Sequence, residues 1–104
     1  MYRVLVAAAV LAITNPAFAA EHVVRMSGAN YEPSQIDGRV GDTIRFVNDD
    51  TVNHDVFVPT GGFGIDLGRQ EPGDERSMRL GKAGTFEAEC VFHGHMLLTV
   101  SVRR

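Results

Sequence analysis

The fold class that the sequence predicts is an all-β sandwich or barrel, on three observations. Helix signals are nearly absent. Glycine and proline, 11 and 4 in 104 residues, cut the chain into short runs of β-type residues. Within these runs apolar and polar residues alternate with period two, as half-buried strands require. Ile44 and Phe46 take one face while Thr43 and Arg45 take the other. Phe86, Ala88 and Cys90 do the same against Glu87 and Glu89.

The first residues read as a leader rather than as part of that domain. Met1-Tyr2-Arg3 carries positive charge, Val4 to Ile13 is apolar, and Ala17-Phe18-Ala19 sets small residues at cleavage positions. This pattern predicts a secretory signal peptide over 1–19, its apolar run too short to span a bilayer. One small domain of roughly 85 residues, 20–104, then follows, with no repeat and no span in the mature chain. Losing Arg3 makes that domain slightly more acidic than the −3 of the whole chain. With no basic face and no run of like charge, nucleic acid is not an expected partner.

Taken in order, His22-Val23-Val24-Arg25-Met26 is the first expected strand, ended by Ser27-Gly28. Tyr31 to Ile36 is an edge-type segment, because Pro33 cannot donate to a ladder. Val40-Gly41-Asp42 turns into the strand Thr43–Val47, and Asn48-Asp49-Asp50 ends it. His54–Val58 follows and stops at Pro59. Thr60 to Asp74 holds five glycines without periodicity, and reads as a loop with one helical turn at most. Ser77–Leu80 is a short strand, and Gly81-Lys82-Ala83-Gly84 turns into the strand ending at Cys90. The strand breaks at Phe92-His93-Gly94 and resumes with Met96, Leu98, Val100 and Val102 on one face. Met26 and Met78 read as core filling.

The chemistry concentrates where that last strand breaks. Cys90-x2-His93-x2-Met96 brings a thiol, an imidazole and a thioether into seven residues. A single cysteine in an exported chain forms no internal disulfide and is an oxidation hazard, so ligation explains it better than packing. Soft sulfur with imidazole selects copper, and two histidines, a cysteine and a weak axial methionine describe a blue-copper electron-transfer site. The second histidine is His54, which shares its face with Val56 and Val58 and so points inward at a strand's end. A lone inward histidine is more often a satisfied core residue. Here the inward Cys90 and Met96 rows also end in loops, which turns the reading to ligation.

With His54 joined to Cys90, His93 and Met96, residues 20–104 resemble the cupredoxins, nearest the amicyanin and plastocyanin group. The resemblance rests on Tyr31-x-Pro33, Val40-Gly41-Asp42-Thr43-Ile44-x-Phe46-x-Asn48, His54-x-Val56, Ala83-Gly84-Thr85-Phe86-x-x-x-Cys90 and the short Cys-x2-His-x2-Met spacing. It implies a Greek-key β-sandwich with one copper ion at one end, held by His54, Cys90, His93 and Met96. It implies single-electron transfer between Cu(I) and Cu(II) in the periplasm, by a monomer serving a dehydrogenase or a c-type cytochrome. A copper enzyme of this lineage needs a second histidine cluster, and His22 is the only spare histidine outside the ligand loops. A periplasmic copper chaperone or buffer on the same fold is the main rival, and a zinc site using Cys90 and the histidines is the second.

Several positions depart from the family pattern. Asp55 and Val91 stand where the family pairs an Asn with a Ser or Thr hydroxyl, so the usual side-chain link between the ligand loops is absent. Asn53 and Gly94 stand where prolines are common, which implies a looser loop. Asp50 is placed to hydrogen-bond the segment carrying His54, a supporting role one layer behind the metal. His95 is read as a solvated neighbour of the site rather than a ligand. His22 is read as a surface strand residue, with adventitious copper binding as its alternative.

Overall fold

The computed structural model describes residues 18–104, so the leader expected over 1–19 lies outside the described residues except for Phe18 and Ala19. Nine strands and no helix make up the described residues: β1 Glu21–Ser27, β2 Asn30–Glu32, β3 Gln35–Arg39, β4 Thr43–Asn48, β5 His54–Val58, β6 Ile65–Gln70, β7 Glu75–Arg79, β8 Gly84–Cys90 and β9 His93–Arg103. They form two mixed sheets, one ordered β2-β1-β4-β7 and the other β3-β9-β8-β5-β6. This is the Greek-key sandwich expected from the sequence.

Alternation decides which side chains lie between the sheets. One sheet contributes Val24, Met26, Tyr31, Ile44, Phe46 and Met78; the other contributes Val56, Val58, Phe86, Ala88, Cys90, Met96, Leu98 and Val100. Fully burying each large apolar side chain here is worth about 1.5–3 kcal/mol. Cys90 and Met96 belong to this same buried cluster, so both sulfurs are set by core packing. Tyr31 ties the two sheets together. Its ring packs edge-on against Phe46 at 6.2 Å, and its hydroxyl donates to the Asp55 carbonyl at 2.6 Å. Burial is the main cause that pushes the Tyr31 phenol far above its ordinary range, so it stays a donor.

Three elements differ from the sequence reading. The single edge segment Tyr31 to Ile36 is two strands, β2 edging one sheet and β3 edging the other, with the chain crossing at Pro33. The expected loop Thr60 to Asp74 contains β6, paired with β5. Period two fails there because Gly68 has φ 78° and the β5–β6 register shifts between Asp55 and Phe57. Arg76 closes that edge, donating to the carbonyls of Leu67 and Arg69 on β6. The break expected at Phe92-His93-Gly94 is shorter, since only Val91 and Phe92 separate β8 from β9.

Candidate metal centre

Two corners of the sandwich build the site: the segment from β4 to β5, and the turn from β8 to β9. Asn48, almost fully buried, organises the first corner. Its side chain donates to the carbonyls of Val52 and Gln70 and accepts from the Asp50 amide. That fold-back delivers His54, fully buried, at the head of β5. At the second corner Cys90 pairs with His93 across the two-residue turn, after a register shift between Glu89 and Cys90. The shift puts a side chain from each strand end on the same spot.

Three donor atoms converge there. Cys90 Sγ lies 3.8 Å from His54 Nδ1 and 3.8 Å from His93 Nδ1, and all three atoms lie within 4.8 Å of one another. An ion bonded at about 2.3 Å to sulfur and 2.0 Å to nitrogen holds them about 3.7 Å apart in a trigonal plane and about 3.5 Å apart in a tetrahedron. The observed 3.8 Å sulfur–nitrogen spacings are of the size that one bridging ion requires. Met96 is fully buried three residues after His93, on the inward face it shares with Leu98 and Val100. Two imidazoles, a buried cysteine sulfur and a thioether fit a soft, redox-active ion better than an oxygen-seeking one. His95 is exposed, its ring centroid 6.1 Å from that of His93, and it takes no part in the donor cluster.

The tautomer of His54 is fixed from behind. His54 Nε2 lies 2.9 Å from Asp50 Oδ2, so in the neutral ring Nε2 carries the proton and the Nδ1 that faces Cys90 is free to bind an ion. The same Asp50 oxygen accepts the Ala29 amide at 2.9 Å, and Oδ1 accepts the Thr51 amide at 2.8 Å. Those bonds, Ala29 first and His54 next, hold the Asp50 carboxyl down to about 2. Ala29 occupies the left-handed region with φ 56°, in the tight turn between β1 and β2, and from there its N–H reaches Asp50. Sequence reasoning placed Asp50 here but missed Ala29, because nothing in Gly28-Ala29 marks a remote partner.

The link between the ligand corners is present in a different form from the one the family pattern led us to expect. Asp55, 5% exposed, accepts the Val91 amide through Oδ1 at 2.8 Å. A carboxylate bonding directly to main chain replaces a side-chain pair, and needs no hydroxyl at position 91. His22 lies on β1 with its side chain 22% exposed, and it is tied to Asp42, with Nε2 2.9 Å from Asp42 Oδ2.

No protein-family model and no curated protein sequence matches the chain. Solved structures do. A Cu(I) form of a methionine-to-alanine variant of amicyanin superposes with a TM-score of 0.74 at 25% identity, over 79% of this chain and 81% of that one. A purple cupredoxin from Nitrosopumilus maritimus matches with a TM-score of 0.71 at 19% identity, over 78% of this chain and 98% of that one. A copper-containing nitrite reductase from Thermus scotoductus matches with a TM-score of 0.75 at 23% identity, over 81% of this chain but only 22% of the enzyme.

Proposed function

The chain has the cupredoxin fold, and from that premise we propose that it is a periplasmic type 1 copper protein that carries single electrons between redox partners. One observation carries the reading: Cys90, His54 and His93 offer three soft or borderline donors within 4.8 Å of one another at the end of a rigid sandwich. In this reading His54, Cys90, His93 and Met96 would hold one copper ion. Bound copper supplies a one-electron Cu(I)/Cu(II) couple. The protein's part is to keep donor positions unchanged between the two states. Core packing fixes Cys90 and Met96, Asp50 fixes the His54 ring, and Asp55 fixes the turn that carries His93.

The surface around His93 supports docking of a redox protein. Val91 and Phe92 are 62% and 53% exposed beside it, and Val52 is 44% exposed on the neighbouring corner. An apolar rim around a partly exposed imidazole suits brief contact with a dehydrogenase or a c-type cytochrome. Export rests on the leader pattern over 1–19.

The rival, a copper chaperone or buffer, makes an opposite prediction. A carrier exchanges electrons reversibly at an electrode while keeping its copper against a Cu(I) chelator. Prompt loss of copper to the chelator, with slow or irreversible electron exchange, replaces the carrier by the chaperone.

A further inference from the structure

A second imidazole–carboxylate pair lies at the other end of β4, the length of that six-residue strand, about 20 Å, from the corner that holds Asp50. Asp42 is 5% exposed, and both of its oxygens are engaged. Oδ1 accepts the main-chain nitrogen of Ala20 at 2.9 Å. Oδ2 lies 2.9 Å from His22 Nε2 and accepts the Arg39 amide at 2.9 Å. The His22 ring is therefore set like that of His54. A carboxylate holds the proton on Nε2, and Nδ1 is left as a bare lone pair.

Counted from Ala20, His22 is the third residue. The leader reading puts cleavage between Ala19 and Ala20, which turns the Ala20 nitrogen into a primary amine, and a metal site at this terminus rests on that cleavage. A primary amine, two successive peptide nitrogens and Nδ1 of a third-position histidine can close three fused chelate rings around one ion. Four nitrogens in a square plane suit Cu(II) or Ni(II).

We propose that the processed chain carries a second metal site, Ala20-Glu21-His22, that binds Cu(II) through the Ala20 amine, the Glu21 and His22 main-chain nitrogens and His22 Nδ1. Binding expels one proton from the Ala20 ammonium and one from each peptide nitrogen, and no electron moves. The two peptide anions balance the charge of the divalent ion. Ala20 and Glu21 are exposed and the His22 side chain is 22% exposed, so an ion can reach them. β1 begins at Glu21, and its first pairs, Glu21 with Thr43 and His22 with Ile44, are the end of a ladder, where opening costs least. Asp42 keeps its hold on Nε2 while the first residues turn around the ion. This site lacks sulfur and so favours Cu(II), unlike the thiolate site at the other end.

The test uses the exported mature protein with its sulfur site already filled by copper, so that the visible band of that site reports an intact fold throughout. Mass spectrometry first establishes the amino terminus. A start at any residue but Ala20 overturns the leader boundary, and with it the site. For protein starting at Ala20, titration with Cu(II) should add one equivalent with the electron paramagnetic resonance signature of square-planar copper on nitrogen. That equivalent should disappear in His22→Gln and also after acetylation of the amino terminus, which leaves His22 in place. Asp42→Asn should weaken it by about 10–100-fold. No added equivalent in protein that starts at Ala20, or an equivalent unchanged by both His22→Gln and acetylation, overturns the proposal while leaving the sulfur site's function untouched.

Discussion

His54 is fully buried at the head of β5, its ring gripped from behind by Asp50, whereas His93 is partly exposed on the turn between β8 and β9. Among the described residues no hydrogen bond reaches Nε2 of His93, and its Nδ1 faces Cys90 as His54 Nδ1 does. The two rings therefore do different work with the same donor atom. His54 belongs to a chain of bonds from the Ala29 turn through Asp50, and in the proposed site it would set where the ion sits. His93 is held by the Val91–Asp55 bond two residues away and by its neighbours on β9, and in the proposed site its partly exposed ring would connect the ion to the surface. The difference teaches that rigidity and access are divided between two corners of the sandwich.

Breaking the His54 arm should have the largest effect. Asp50→Ala removes the bond that fixes the His54 tautomer and should lower copper affinity by about 10–100-fold, read by competition with a chelator. His95→Gln, beside the other arm, should leave affinity and spectrum unchanged. If His95→Gln weakens binding as much as Asp50→Ala does, the division between the corners is wrong.

Asp55→Ala tests the other corner. It leaves the Val91 amide without its charged partner, and should lower stability by about 1.5–3 kcal/mol in urea unfolding. An unchanged midpoint would show that the turn holds His93 without Asp55.

A smaller effect, in the metal-free protein, concerns acid. Asp50 and Asp42 are held at about 2, below the ordinary value of 3.8, Asp50 by the Ala29 amide first and Asp42 by His22 first. A carboxyl with a depressed folded-state pKa contributes stability above its unfolded value and loses it as pH falls through the folded one. Stability should therefore decline between about pH 4 and pH 2, and Asp50→Asn should make that decline shallower. An equally steep decline in Asp50→Asn would remove Asp50 from the acid response.

Period-two alternation made most of the sandwich legible in the sequence, including the inward faces of β4, β5, β8 and β9, and the soft donors at Cys90 and Met96 pointed to the metal. β6 was hidden because Gly68 interrupts its alternation and because its partner β5 changes register. The crossing at Pro33 was hidden because β2 and β3 are too short for a pattern to separate them. At the site, Asp50 was legible from its nearness to His54. The Ala29 anchor and the Asp55–Val91 bond were not, because main-chain donors leave no mark in side-chain identity.

The most direct test of the central claim is the optical and electron paramagnetic resonance spectrum of the mature protein carrying one oxidised copper. A trigonal site of His54, His93 and Cys90 predicts an intense visible sulfur-to-copper band with unusually small copper hyperfine splitting, both lost in folded Cys90→Ser. Weak absorption with the wide splitting of tetragonal copper, unchanged by Cys90→Ser, would contradict it.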